Sequence, residues 1–377
     1  MDFFSGFSLW GGSWLGSILP FLFVLTVIVF FHEFGHFWVA RRCGVKIDVF
    51  SIGFGTELFG FNDRHGTRWR FAAIPLGGYV RFHGDDSAAS TPDTAALSKM
   101  GARERKESFF YKPISQRAAI VAAGPIANFI LAIAIFAGIF MFYGKQASPA
   151  RVNSVAPASA AQTAGFQPGD LVLSIDGQKI ETFSDMQRIV SAHPGRSLEF
   201  AVDRAGARVV LKATPTLEEH KDRFGNVYKL GRLGLTGTMD PPQPVGPVAA
   251  IGLGFAETWY VIDRTMSYIG GIITGRESAD QLGGPLRIAQ ISGQVASISF
   301  QAVLHLAALL SVSIGLLNLF PVPLLDGGHL LFYGIEALRG RPLSERAQEM
   351  GFKIGLALVI MLMIVATWND IVHLIAL

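Results

Sequence analysis

The sequence predicts a polytopic α-helical membrane protein with about four transmembrane helices, a membrane-associated β-hairpin and one compact α/β module outside the bilayer. Three observations predict it. Of the 377 residues, 50% are hydrophobic and only 16% are charged, with a mean hydropathy of +0.39, too apolar for an ordinary soluble domain. Four stretches, residues 17–40, 118–143, 301–325 and 354–368 with its flanks, approach the roughly 20 apolar residues that cross about 30 Å of hydrocarbon. Between the second and third, residues 147–236 have the composition of a soluble domain.

The first stretch is uncharged except for Glu33 and ends in His32-Glu33-Phe34-Gly35-His36. An H-E-x-x-H pattern on a helix places its two histidines on one face, where they can grip one metal ion, with the glutamate beside them. Next comes Val45–Leu58, alternating and β-branched, with glycines at 53 and 55. A turn at Asn62–Gly66 and further strand-like residues to Val80 complete a hairpin or small sheet directly after the metal-binding pattern. Asp85–Gly101 is rich in Ala, Ser, Thr and Asp and reads as a mobile loop. The second stretch contains Gly124-Pro125-Ile126-Ala127-Asn128, a small residue, a kink former and an amide within an apolar run.

Within residues 147–236, short strands alternate with turns, including Gly165–Asp170 and Asp176-Gly177, and two short helices are expected near Ser159–Ala164 and Phe183–Ser191. The module carries no paired acid–base residues and no metal cluster, which makes it a binding or filtering domain. Residues 237–300 hold the mixed apolar runs Val248–Ile273 and Pro285–Ser299, suited to amphipathic helices on the outer surface. The chain thus divides into a first core half (1–143), the module (147–236), linker helices (237–300) and a second core half (301–377).

Basic residues set the topology. Arg41, Arg42 and Lys46 follow the first stretch, Arg103 to Arg117 precede the second, and Arg339, Arg341 and Arg346 separate the third from the fourth. The positive-inside rule puts all three groups in the cytoplasm, and both termini and the module on the other side. Met1–Gly16 has no basic n-region, so a cleaved signal peptide is not expected. The single cysteine, Cys43, excludes an internal disulfide. No basic cluster is interleaved with stacking aromatics, so the expected partners are membrane lipid and membrane proteins, not nucleic acid.

A catalytic zinc site takes three protein ligands and leaves one position for water. His32 and His36 supply two. The best third is Asp326, in Asn318-Leu319-Phe320-Pro321-Val322-Pro323-Leu324-Leu325-Asp326-Gly327-Gly328, where two prolines end an apolar helix. In the assigned topology its depth matches that of His32, and an ionisable group there is functional by default. His329 is the rival third ligand, whereas His305 lies near the outer end of its helix and suits a structural hydrogen bond. Glu33 is too close to both histidines to be a ligand; it is placed to take a proton from water held by the metal and pass it to a leaving amine. A peptide bond in a helix must unwind before attack, and an extended substrate is held most readily by a strand edge. The Val45–Leu58 hairpin offers one. Asn128 and Asn318 each need hydrogen-bond partners in the membrane, supplied either by substrate backbone or by neighbouring helices.

These residues resemble the site-2 protease family of intramembrane zinc metalloproteases, and among them the bacterial regulator-of-sigma type with a PDZ module. His32–His36, Gly124–Asn128 and Asn318–Gly328 occur in the family's order, and Val152–Thr214 is similar to bacterial PDZ modules. The resemblance implies that His32, His36 and Asp326 bind Zn2+ and that Glu33 is the catalytic base. It also implies that Gly53-Phe54-Gly55 belongs to a membrane-associated loop pairing with substrate, and that Asn318 helps hold substrate extended. Implied too are a bacterial inner-membrane location with a periplasmic PDZ domain and an active site in the cytoplasmic half of the bilayer. The implied substrates are single-pass proteins after a first-site cut, such as anti-sigma factors of an envelope stress response, and remnant signal peptides. One apparent PDZ module stands where the enterobacterial type has two in tandem. The contrasting reading is a non-proteolytic membrane scaffold that binds client tails through this module.

Overall fold

The computed structural model describes residues 14–85, 100–145, 148–221, 227–238, 240–275 and 283–376. Most of the opening segment and of the expected loop at Asp85–Gly101 lies outside them. The chain divides into two compact units, one of Met1–Ile139 with Pro247–Ala376, the other of Phe140–Gly246. In chain order the elements begin with α1 (Trp14–Arg42), β1 (Ile47–Asn62), β2 (Arg68–Phe82), α2 (Ala102–Glu107) and α3 (Ile114–Tyr143).

Four helices among the described residues are long and apolar enough to cross a membrane: Gly16–Arg42, Ile114–Tyr143, Phe300–Leu319 and Arg346–Val372. The third ends at Leu319, six residues before the expected Leu325. Pro321 and Pro323 cannot donate to the helix ladder, so the chain leaves the helix ahead of them.

β1 and β2 form an antiparallel pair whose register repeatedly shifts. Val49–Ile52 has Cα partners both at Gly78–Arg81 and at Arg68–Phe71, while Phe59–Asn62 also pairs with Arg68–Phe71. The long hairpin therefore curls over itself, with residues 78–82 at one lateral edge, followed by 47–52, 68–71 and 57–62. Gly53, at φ +88° and 2.7 Å from the Ile74 carbonyl oxygen at its would-be Cβ, allows this tight fold. Asp63 fixes the hairpin turn to the end of α1. Its carboxylate accepts from Arg41, the Trp69 indole and the backbone N–H groups of His65 and Thr67. Burial works against that charge, but these donors hold the Asp63 carboxyl down at about 2. Thr26, well up α1, reaches the Pro75 carbonyl at 3.5 Å, so the β-structure runs beside the spanning helix.

The second unit contains β3 (Val152–Val155), α4 (Ala160–Thr163), β4 (Leu171–Ile175), β5 (Gln178–Lys179), α5 (Phe183–Ser191), β6 (Leu198–Arg204), β7 (Ala207–Ala213), β8 (Thr216–Lys221), β9 (Val227–Arg232) and β10 (Leu235–Gly237). Its main sheet has the order β5-β4-β6-β7, with β10-β3 and β8-β9 as separate pairs. Phe166, Val172, Ile175, Met186, Phe200 and Val202 form its buried core. Asp170 is buried among them. Burial opposes its charge, but two contacts of 2.8 Å from Arg204 and the Gln167 N–H at 2.9 Å hold the carboxyl below the usual range.

The first unit resumes with α6 (Pro247–Ile273), α7 (Pro285–Ala296), α8 (Phe300–Leu319), α9 (Asp326–Arg339) and α10 (Glu345–Ala376). α6 is one continuous helix with two apolar faces. Ala250, Gly254 and Thr258 form a buried stripe, and a Cβ at Gly254 would lie 2.6 Å from the Ile133 carbonyl of α3. Val248, Ile251, Phe255 and Trp259 are exposed. α6 thus packs a stripe of small residues inward and leaves bulky apolar side chains exposed.

α10 is the most exposed of the spanning helices, with 6% of its window buried, and it touches the core near its ends. At one end Gly355 packs so tightly on Pro323 that a Cβ would overlap the proline carbonyl at 1.9 Å. At the other, the buried Asp370 carboxylate accepts the N–H groups of Gly284 at 2.8 Å and of Leu286 and Arg287 at 3.1 Å. A carboxylate distant in sequence thus satisfies the free donors that open α7. We expect Asp370→Ala to destabilise the protein by about 2 kcal/mol, the worth of hydrogen bonds to a charged group, with Asp370→Asn between it and the parent. Thermal unfolding of the purified protein in detergent checks this; unchanged transitions in both variants would contradict the cap.

Candidate metal centre

α1 carries His32 and His36 one turn apart, and α3 crosses it closely enough that a Cβ at Gly35 would lie 2.3 Å from the Ala123 carbonyl oxygen. Asp326 arrives from the other core half. Leu324, with φ +93°, turns the chain immediately before it, a conformation costly for a branched residue and retained where surrounding structure enforces it. Asp326 then opens α9, with Gly327 and Gly328 in the first turn. Both glycines are required by packing. A Cβ at Gly327 would meet the Phe320 carbonyl at 2.2 Å, and one at Gly328 the Val322 carbonyl at 2.4 Å.

The result is a cluster of three donor atoms. His32 Nε2 lies 3.3 Å from His36 Nε2, and Asp326 Oδ2 lies 3.2 Å and 3.5 Å from them. The second ring nitrogens decide its chemistry. His36 Nδ1 is 2.9 Å from the Ile120 carbonyl, which can only accept, so Nδ1 carries the proton and Nε2 presents a lone pair. His32 Nδ1 is 3.3 Å from the Asn128 carboxamide. With Nδ2 toward the ring, the amide leaves its Oδ1 buried without a partner. A half-turn gives Oδ1 the His32 Nδ1–H and frees Nε2 as well. Asp326 Oδ2 is likewise buried without a hydrogen-bond donor. With the ring protons on the outer nitrogens, three acceptors face one another, an arrangement suited to a cation at its centre.

The spacing fits zinc. Ligands about 2.0–2.2 Å from a tetrahedral zinc ion lie roughly 3.3–3.6 Å apart, within about 0.1 Å of the separations of 3.2, 3.3 and 3.5 Å above. The cradle leaves no spare room. A Cβ at Gly124 would lie 2.3 Å from His36 Nε2 and 2.9 Å from His32 Cε1. The three residues also form the one group of metal-capable side chains found among the described residues.

The cluster opens on a cavity of about 220 Å³, lined also by Glu33, Asn318, His329 and Tyr333 and by Gly78-Tyr79-Val80 of β2. The Val80 N–H donates to the Glu33 carboxylate, and Gly78 fits between the Ser51 carbonyl and the Glu33 side chain, 2.7 Å and 3.3 Å from its would-be Cβ. Among the expected substrate-contacting residues, Asn318 reaches this cavity. Asn128, expected beside substrate or a neighbouring helix, is fully buried with its carboxamide against the His32 ring. Gly53, Phe54 and Gly55 do not line the cavity either. Phe54 stacks on Tyr79 with ring centroids 6.0 Å apart, bracing the strand that does. The sequence had pointed to β1 as the substrate-facing strand; the hairpin's curl brings the later half of β2 to the site, and alternation alone could not reveal that. His305 packs its ring on Phe136, away from the cluster.

A sequence profile of peptidase family M50 matches residues 20–362. The chain belongs to that family. A protein of Agrobacterium fabrum provisionally named a zinc metalloprotease is 51% identical, over 96% of this chain and 97% of its own length. The metalloprotease MmpA of Caulobacter vibrioides is 41% identical, over 94% and 95%. Among solved structures, the PDZ domain of the SdrC-like protein from Listeria monocytogenes covers 23% of this chain and 84% of its own length, at 18% identity and a TM-score of 0.19. As an M50 member the protein is a membrane zinc metalloendopeptidase. We expect Gly124→Ala to displace one or both imidazoles and to lower zinc content and proteolysis together. Elemental analysis of the purified variant checks it, and full zinc occupancy would contradict the tight cradle.

Proposed function

We propose that this M50 peptidase cleaves transmembrane segments of single-pass proteins within the bacterial inner membrane, with His32, His36 and Asp326 as the zinc ligands and Glu33 as the base. The observation that carries the reading is the convergence of two histidines of a spanning helix with Asp326, with a glutamate beside them and a β-edge along the same cavity. A scaffold without catalysis has no use for such a set.

When bound, zinc polarises the scissile carbonyl and makes water acidic enough to lose a proton near neutral pH. The protein's own groups do the rest. Glu33, steadied by the Val80 N–H, accepts the water proton and returns it to the leaving nitrogen. Asn128 and the Ile120 carbonyl hold the two imidazoles in the tautomer that leaves Nε2 free. Gly78–Val80 offers backbone groups to an unwound substrate, and Asn318 supplies an amide to its peptide groups. The unwound form would otherwise leave polar groups unpaired at membrane depth, which this pairing offsets.

The unit Phe140–Gly246 reads as a periplasmic PDZ-type filter. A groove of about 420 Å³ between α5 and the segment Leu230–Leu235 supports a peptide-binding role. The substrates that suit such a filter are proteins already shortened by a first cut, with anti-sigma factors of an envelope stress response and remnant signal peptides as the candidates.

We expect Glu33→Gln to keep zinc and lose proteolysis by at least about 100-fold, whereas Asp326→Asn should lose zinc as well. Metal analysis beside cleavage of a membrane-embedded substrate separates the two; an active Glu33→Gln protein would remove Glu33 as the base. Replacing residues 147–236 with a short linker should leave cleavage of a shortened substrate largely intact and hold or raise that of the full-length form. Inactivity of a folded, zinc-loaded deletion protein on every shortened substrate would turn the filter into an obligatory part.

A further inference from the structure

One polar group of the cavity has no part in the mechanism above. His329 lies on α9 one turn beyond Asp326, so both side chains fall on one helix face, and both line the cavity. It is not a member of the donor cluster, which among the described residues comprises His32, His36 and Asp326. Its ring packs on Phe352 of α10 at 5.6 Å with a 51° tilt, which fixes its plane. Among the described residues its nitrogens are given no hydrogen-bond partner. Tyr333, next on the same face, is already engaged. Arg117 stacks over its ring at 4.8 Å and bonds its hydroxyl, and Arg117 in turn is held by Glu336 at 2.7 Å. The cavity therefore has one imidazole oriented by packing and uncommitted in hydrogen bonding.

We propose that His329 is a further catalytic residue, donating a ring N–H to the scissile carbonyl oxygen as it becomes an oxyanion. The inference rests on the proteolytic reading above. Water oxygen bonds to the carbonyl carbon, the C=O π pair moves onto oxygen, and Glu33 takes the water proton. Collapse re-forms the C=O, breaks the C–N bond and sends that proton to the leaving nitrogen. His329 transfers no proton; its hydrogen bond strengthens as charge builds on the oxygen, which makes it worth more in the transition state than in the bound substrate.

The test uses the full-length, zinc-loaded protein and the variants His329→Phe and His329→Gln. Phenylalanine keeps the ring that packs on Phe352 and removes the donor; glutamine restores an N–H. We expect His329→Phe to keep full zinc content and a KM near the parent's while kcat falls about 100-fold. Affinity for a phosphinate peptide, which mimics the tetrahedral centre, should fall in step, and His329→Gln should recover part of both. Parent-like kcat and phosphinate affinity in His329→Phe would overturn the proposal, as would loss of zinc in both variants, which would make His329 a ligand. A Glu33→Gln control that remains active would instead overturn the underlying reading, so the two failures are distinguishable.

Discussion

Two imidazole nitrogens and a carboxylate oxygen meet within 3.2–3.5 Å, and much of the surrounding unit is arranged to hold them there. With their lone pairs turned inward, the three atoms would repel one another without a cation between them. The remaining contacts follow as conditions on it. The Ile120 carbonyl takes the proton side of one imidazole and Asn128 that of the other. Gly35 and Gly124 let α1 and α3 approach until no side chain fits between them. Leu324 accepts an unfavourable φ so that Asp326 can enter from a helix start. A metal centre in a bilayer thus depends as much on small residues as on its ligands.

Much of this was legible in the sequence because ligands and spans leave local marks. The pair His32 and His36 follows from helical spacing, and Asp326 from an ionisable residue after a proline break at matching depth. What stayed hidden depends on contacts distant along the chain. Asn128 is an amide in an apolar helix, and nothing local says that its neighbour is His32, a residue 96 positions away. The strand facing the site was assigned to β1 because alternation and glycines mark it. The register shifts that bring Gly78–Val80 to the cavity arise from tertiary curling, which a period of two does not encode. Gly327 and Gly328 stand in the sequence as a plain pair after Asp326, and nothing local says that the Phe320 and Val322 carbonyls close on them.

α6 and α10 show the same limit. The mixed run Val248–Ile273 reads as amphipathic, and the structure adds what its faces do: Ala250, Gly254 and Thr258 are buried, with Gly254 against α3, and bulky apolar residues stay outward. Hydropathy counts charges; it does not record which side of a helix each residue occupies. α10 is the converse case, apolar enough to be recognised at once, yet held chiefly through Gly355 on Pro323 and Asp370 on the start of α7.

The attachments of α10 bear on the site through one short segment. Pro323, on which Gly355 closes, lies three residues before Asp326, and its carbonyl is the contact atom. Phe352, one turn earlier on α10, meets the ring of His329. A displacement of this helix would therefore press first on the loop that carries the carboxylate and on the cavity's packed imidazole. Packed interfaces pass on small shifts because they contain few voids to absorb them. With an exposed middle and a glycine seated on the Asp326 loop, α10 is placed to transmit its own displacement to the cavity.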